Sequence, residues 1–322
     1  MNNPEIKRQS PKISVVIPIY LNEPFIEELS SRITKTLRKI TNDFEIIMVD
    51  DHSPDNSWAV IKDHAKKDIR IKGIRFSRNF GQHKAVTAGI DKCQGEWVVV
   101  MDGDLQDRPE EIERLYNKVV TKDCDIVFAR RMNRQDKFFK RLSSKLFYLI
   151  LNKLADTSID SRIANFGIYS KKVINNFKIM REQNRLFLLF IDWIGFKKEY
   201  IDVEHEERSS GKTAYSFYKR LSLAINAIIS MSNKPLKLSV KFGFTIAFIS
   251  FLYGIFLIIR YFALGVPIIG WTSLMVSLWF VSGLIFSLLG IIGLYMGRIF
   301  DEVKYRPLYI IQEEINTRVK ND

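Results

Sequence analysis

The stretch VVVMDGDLQDRPEE, Val98–Glu111, decides how this chain is read. Four apolar residues, the pattern of a buried strand, run straight into Asp102, Asp104 and Asp107, with Gly103 alone between the first two acids. Carboxylates at the end of a buried strand are unfavourable unless something cationic compensates them. Pro109, Glu110 and Glu111 then have the composition of a helix's first turn.

The same order recurs on either side. Short apolar runs at ISVVIPI (13–19), EIIMVD (45–50), IKGIRF (71–76), WVVVMD (97–102) and DIVFA (125–129) read as strands. Helical spacing lies between them, starting near Glu23, after Ser53 and Asp55, across His83 to Cys93, and from Pro109. This alternation predicts an α/β fold with a mostly parallel sheet covered by helices on both faces. Ligands of such sheets bind beyond the carboxyl ends of the strands. Asn22, Glu23, Asp50, Asp51, Arg78, Asn79, Asp102 and Asp104 collect there. The chain has no GxGxxG or Walker-type loop, which argues against a dehydrogenase or a P-loop enzyme.

The 322 residues carry a formal charge of +13, which points to an anionic partner, either nucleic acid or a membrane face. Cys93 and Cys124 match no metal spacing and no disulfide framework, so a reducing compartment is expected. The opening MNNPEIKRQSPK is polar, and no secretory signal is expected there.

Farther along, FGFTIAFISFLYGIFLII (242–259) is uncharged over a length sufficient to cross a bilayer. Arg260 follows, near enough to the helix end to snorkel, and then a turn through Gly265 and Pro267. A second uncharged run extends from Ile268 to Met296. Two transmembrane helices are predicted, at about 242–264 and 270–296. Lys234, Lys237 and Lys241 precede them and Arg298, Lys304 and Arg306 follow, placing both ends in the cytoplasm. The basic charge is then read as facing lipid headgroups, and no nucleic-acid partner is expected.

Two basic amphipathic stretches, KFFKRLSSKLFYLILNKLA and YSFYKRLSLAINAIISMS, are predicted to lie in the bilayer interface. Ordinary helices packed on the sheet are the alternative. The expected organisation is a cytoplasmic catalytic domain at 1–215, with an interfacial helix at about 138–155. A juxtamembrane helix at 216–240, the two spans within 241–298 and a cytoplasmic tail at 299–322 complete it. The expected location is the inner membrane.

Asp102, Gly103 and Asp104 suit Mg²⁺ or Mn²⁺ bridging to substrate phosphates, with Gln106 just beyond. In VDDHSPDNS, Asp50 and Asp51 can accept hydrogen bonds from a base or a ribose, while Ser53 or Asp55 would suffice to cap the next helix. Arg78, Arg131, Arg134, Arg208 and Lys212 are the candidate phosphate-binding cations.

Taken together, IPIYLNE, VDDHSPDNS, SRNFGQHKAVTAGI, MDGDLQDRPEEI, ERSSGKTAYSF and YMGRIFDEVKYRPLYII resemble family 2 glycosyltransferases of the polyprenyl-phosphate sugar transferase group. That group includes dolichol-phosphate mannose synthase, bactoprenol glucosyltransferases and the undecaprenyl-phosphate formamido-arabinose transferase. The resemblance runs in order along nearly the whole chain. It implies a GT-A domain and inverting transfer of one sugar from a nucleotide sugar, preferably a UDP-sugar, to polyprenyl (undecaprenyl) phosphate for cell-envelope glycan modification.

By position, the resemblance implies that Pro18, Tyr20, Glu23, Asp50, Asp51 and Arg78 bind the donor. Asp102, Asp104 and Gln106 would hold the metal on its diphosphate. Arg131, Arg134, Arg208 and Lys212 would engage the acceptor phosphate, with Asp102, Asp104, Arg131 and Arg208 forming the catalytic set. Relatives of this architecture can form tetramers, so a homo-oligomer joins the expected partners.

Three positions depart from the family pattern. Asn165-Phe166-Gly167 stands where many relatives carry Asp-Phe-Arg or Asp-Tyr, Leu294 replaces an acid, and Leu21 shifts the entry motif by one residue. Two competing readings are a processive polysaccharide synthase and a membrane-tethered nucleotide-binding or receiver module. The chain lacks the Q-x-x-R-W segment and the additional spans that the first usually carries. The second leaves Asp102, Asp104 and the arginines unexplained.

Overall fold

The structure, a computed structural model, describes residues 12–131, 154, 162–204, 225, 228–264 and 270–317. The chain divides into two compact units, one of residues 1–149, 157–214 and 307–322, the other of 150–156 and 215–306.

In the first unit the alternation produces β1 (Ile13–Ile19), α1 (Glu23–Ile40), β2 (Phe44–Asp50), α2 (Ser57–Lys67), β3 (Ile71–Phe76), α3 (Gln82–Lys92), β4 (Trp97–Val100), α4 (Glu111–Lys122) and β5 (Ile126–Arg131). Then come β6 (Ile163–Ser170), α5 (Lys171–Ile179), α6 (Phe187–Ile194) and β7 (Lys198–Val203). A last strand, β8 (Ile311–Ile315), is contributed by the tail. The eight strands form one sheet in the order β7-β5-β6-β4-β1-β2-β3-β8. Pairing is parallel among β4, β1, β2 and β3 and between β5 and β7. β6 is antiparallel to both β4 and β5, and β8 is antiparallel to β3. The five strands expected from sequence occur within two residues of their anticipated limits. The tail, expected as a simple cytoplasmic extension, supplies an edge strand.

Every β1 residue is buried, as a central strand covered on both faces requires. Ile13, Val15, Ile17 and Ile19 join the core formed with Ile26, Leu29, Ile33 and Leu37 of α1. The α1 spacing of three, four and four places those side chains on one helical stripe, each worth about 1.5–3 kcal/mol of burial. On the opposite face α3 comes so close that a Cβ on Gly89 would sit 2.3 Å from Val16 Cγ1. Helix α4 begins in a tight turn, with the Ile112 amide donating to Pro109 O and that of Glu113 to Glu110 O. Pro109 thus opens the helical path as its sequence suggests, with regular α-helix starting at Glu111.

One charge is buried at the start of β2. Glu45 is 3% exposed and accepts hydrogen bonds from Ser14 Oγ at 2.5 Å and the Gln94 amide at 2.7 Å. Lys72 Nζ approaches its other oxygen at 2.5 Å. Ser14 Oγ accepts in turn from the Gly95 amide at 2.8 Å, so one carboxylate unites β1, β2, β3 and the approach to β4.

Both cysteines are free and buried. Burial pushes the Cys93 thiol up to about 11 and raises Cys124 as well. Because Cys93 is held protonated in the fold, its contribution is complete below pH 9 and is lost as pH rises through about 11. At pH 8 the folded protein should resist iodoacetamide, and urea should expose both thiols; rapid labelling of the folded chain would contradict this burial.

The second unit contains α7 (Lys234–Leu264) and α8 (Trp271–Val303), both long and apolar enough to cross a membrane. Phe244, Phe248, Phe262 and Trp279 are among their exposed side chains. Helix α7 starts before the expected span and takes Lys234, Lys237 and Lys241 into its first turns. The Tyr295 hydroxyl of α8 donates to the Ser232 carbonyl at 2.8 Å. Leu294, where the family pattern has an acid, is an exposed residue of α8. The predicted interfacial helix at 138–155 lies outside the described residues except for Leu154. The juxtamembrane segment 216–240 is described at Ile225 and from Ile228 onward.

Candidate functional site

Parallel pairing of β4, β1, β2 and β3 brings four strand-to-helix turns to one edge of the sheet. They contain Tyr20–Glu23, Asp51–Asn56, Ser77–Gly81 and Asp102–Glu110. Two antiparallel steps through β6 make β5 run in the same direction as β4, so Arg131 ends its strand at this edge too. For Arg131 the description is of backbone position. β7 parallels β5, and Arg208 and Lys212 follow its end at Val203. Arg134, Arg208 and Lys212 lie outside the described residues.

The first two turns are joined. The Glu23 carboxylate accepts from the Asn56 amide at 3.0 Å and its side chain at 3.2 Å, while the Glu23 amide donates to Asp55 Oδ2. The Leu21 amide donates to Ser53 Oγ. Tyr20 is 46% exposed, and Pro18 is buried in β1. Left-handed backbone accumulates here, at Leu21 (φ 57°), His52 (φ 56°) and Leu105 (φ 59°), with Gly81 at 97°. Such conformations at non-glycine residues cost about 1–3 kcal/mol each and concentrate at functional sites.

The acidic pair at the end of β2 divides its work. Asp50 has no exposed surface; its Oδ1 accepts from the Ser53 amide at 3.0 Å and its Oδ2 lies 3.4 Å from Arg75 Nε. A nucleotide could reach Asp50 only if this turn rearranged. Asp51 accepts from the amides of Phe80 at 2.6 Å and Gly81 at 2.8 Å, and Asn79 donates to its carbonyl. Burial raises both carboxyls, and these hydrogen bonds oppose the rise. Asn56 occupies the cap position of α2 without a side-chain cap bond, while Asp55 Oδ1 accepts from the amide of Ser57, the helix's first residue, at 3.1 Å.

A residue not singled out from sequence completes the link to β4: Gln82 Nε2 donates to Asp102 Oδ1 at 2.6 Å. Gln82 lies in the FGQH segment, whose spacing carries no sign of a partner twenty residues away. Arg78 is exposed, with its guanidinium 4.1 Å from the Phe80 ring centroid. Asp104 Oδ1 accepts from the Gln106 amide at 3.2 Å, which folds the acidic turn back on itself. Gly103 is needed for close approach: a Cβ there would meet Ile19 Cδ1 at 2.7 Å and Pro18 O at 3.2 Å. Beyond the turn, Arg32 grips Glu110 through two hydrogen bonds and holds its carboxyl below the usual range.

The described residues contain no cluster of three or more His, Cys, Asp or Glu side chains able to hold a metal. Two carboxylates flanking Gly103, with an amide at Gln106, nevertheless fit Mg²⁺ or Mn²⁺. Such ions keep water and take phosphate oxygens as their remaining ligands. The pairing of β4 with β6 ends at Val100 and Gly167, and Asn165 lies on β6 two residues beyond that pair.

A mostly parallel α/β sheet with four strand-to-helix turns and an Asp-Gly-Asp corner at one edge has the architecture of the GT-A fold. The Glycosyl transferase family 2 model matches residues 14–177. The uncharacterized glycosyltransferase YkcC of Bacillus subtilis is 36% identical over 301 residues, covering 93% of each chain. The bactoprenol glucosyl transferase of Shigella phage SfV is 33% identical over 304 residues, covering 94% of this chain and 99% of that one. Among solved structures, a mannosyltransferase from Pyrobaculum calidifontis in complex with GDP-Man and Mn²⁺ aligns with TM-score 0.50 at 15% identity, over 69% of this chain and 64% of that one. That likeness is one of fold. The chain belongs to glycosyl transferase family 2, and it is a glycosyltransferase. The resemblance to the polyprenyl-phosphate sugar transferase group is borne out by similarity across nearly the full length.

Proposed function

We propose that this enzyme is membrane-bound and transfers one sugar, with inversion, from a UDP-sugar to undecaprenyl phosphate or a similar polyprenyl phosphate. The carrying observation is the similarity to bactoprenol glucosyl transferases, which is too long to omit either apolar helix. The apolar exposed surfaces of α7 and α8 support membrane insertion, and the basic residues flanking them support a cytoplasmic catalytic domain.

In this reading Pro18, Tyr20, Glu23, Asp51 and Arg78 line the nucleotide pocket, while Asp50 braces the turn below. Asp102, Asp104 and Gln106 would hold a divalent ion. When bound, such an ion supplies charge neutralisation at the departing diphosphate. An acceptor phosphate oxygen forms the new bond to the anomeric carbon as the bond to the donor diphosphate breaks, and the nucleotide diphosphate leaves with the electron pair. A phosphate monoester with a second pKa of about 6 is already anionic at neutrality, so it needs no strong base, and Asn165 is compatible with that chemistry. The chain's task is to align two mutually repelling anions, using Arg131, Arg134, Arg208 and Lys212.

Purified protein incubated with radiolabelled nucleotide sugars and undecaprenyl phosphate should yield a lipid-linked monosaccharide. A growing polymer would favour the processive reading, and no transfer across a broad donor panel would reject the proposal. Arg208→Ala should raise the acceptor KM or lower turnover about 10²-fold. If that variant alters the donor KM alone, Arg208 belongs to the other substrate.

A further inference from the structure

We propose that the segment following the second apolar helix holds the Ser77–Gln82 loop in its donor-binding conformation, with Tyr309 as the positioning residue. The inference rests on the donor-site reading given above. Its physical basis is a set of contacts with the strand before one loop and with the helix after it.

The loop has neither strand nor helix between Ser77 and Gly81. Yet its Phe80 and Gly81 amides must meet Asp51, and Gln82 must meet Asp102. Local sequence does little to impose that shape, since Gly81 is left-handed and Arg78 and Asn79 are exposed. The tail supplies what the loop lacks. At the loop's entrance, the Ser77 amide donates to Ile310 O at 3.0 Å, extending the pairing of β3 with β8. The Tyr309 ring stacks on Phe76, with centroids 5.2 Å apart and planes 17° from parallel. Phe80 meets the same Phe76 ring edge-on at 5.5 Å. Phe76, fully buried, therefore transmits the position of the tail to the aromatic side chain of the loop.

On the helix that follows the loop, the Tyr309 hydroxyl donates to Asp91 Oδ2 at 2.7 Å. Asp91 lies near the C-terminal end of α3, the helix that begins with Gln82, and Arg181 grips both its carboxylate oxygens at 2.9 Å. Burial and the neighbouring Asp91 raise the Tyr309 phenol, which keeps its proton available for that bond. One side chain thus sets the strand before the loop against the helix after it. Tyr309 touches no reacting group in this arrangement; it acts through Phe76, Phe80 and Asp91.

The test uses the full chain in lipid nanodiscs. Tyr309→Leu keeps bulk but removes stacking and the hydroxyl, whereas Tyr309→Phe removes the hydroxyl alone. In Tyr309→Leu, amide exchange at Phe80 and Gly81 should quicken roughly 5–10-fold, the scale of a lost aromatic pair. Exchange in β1 and β2 should stay at the wild-type rate. The KM for a UDP-sugar should rise by a similar factor with kcat within about twofold, and Tyr309→Phe should restore most of both. Unchanged exchange at Phe80 and Gly81, equal quickening throughout the sheet, or an unchanged donor KM would overturn the proposal. Asp104→Asn serves as the separating control: it should lose transfer while loop exchange stays at the wild-type rate. Full activity in that control would reject the donor-site reading, while loop exchange in Tyr309→Leu would still judge the tail's hold on the loop.

Discussion

Asp104→Asn should lower sugar transfer by about 10³-fold and leave the fold intact. The asparagine amide oxygen can still accept from the Gln106 amide, so the bond that closes the acidic turn is retained. What disappears is a negative charge beside Asp102, at the position proposed to hold a divalent ion on the donor diphosphate. Transfer measured across a Mg²⁺ and Mn²⁺ titration, together with the thermal midpoint of the same sample, separates a lost site from a lost fold. Normal turnover would remove Asp104 from the catalytic set.

Glu45→Ala should produce the largest loss of stability, about 3–5 kcal/mol, the range seen when one partner of a buried ion pair is removed. Three donors lose their acceptor together: Ser14 Oγ, the Gln94 amide and Lys72 Nζ. The side chains of Lys72 and Glu45 are 13% and 4% exposed, so water offers little replacement. The apparent melting temperature should fall by about 10 °C or more. Glu45→Gln should fall between the wild type and Glu45→Ala, since an amide oxygen can still accept from Ser14 or Gln94. A melting temperature unchanged in Glu45→Ala would show that the sheet does not depend on this carboxylate.

The contrast between these two acids shows what was legible in sequence. Asp104 follows four apolar residues and stands next to glycine, so local pattern alone marked its turn. Glu45 reads as part of EIIMVD, a strand with an ordinary acid at its start. Its partners Ser14, Lys72 and Gln94 lie 27 to 49 positions away, beyond the reach of any periodicity. Gln82 was hidden for the same reason, since its link to Asp102 depends on α3 beginning and β4 ending at one edge of the sheet. The parallel strands were visible because burial on both faces leaves continuous apolar runs. β8 was not: IQEEI is short and half-exposed, and its pairing with β3 is made across more than two hundred residues. The acidic residues VDDHSPDNS divided less simply than their adjacency suggested, because β2 ends at Asp50 and Asp51 already belongs to the turn. Asp50 is drawn inward to Arg75 while Asp51 meets the loop amides.

The position of β8 also sets an order of events during synthesis. β3 is made early, but the strand that pairs with its outer edge comes after both apolar helices. At ribosomal rates of about 5–20 residues per second, the stretch from the end of β7 to β8 takes on the order of 10 s. Throughout that interval the nascent catalytic sheet presents β3 as an open edge, able to bind a chaperone or pair with a neighbouring chain. The outer edge of β3 is therefore covered only after the ribosome has produced both apolar helices, which makes support of the Ser77–Gln82 loop wait on their synthesis.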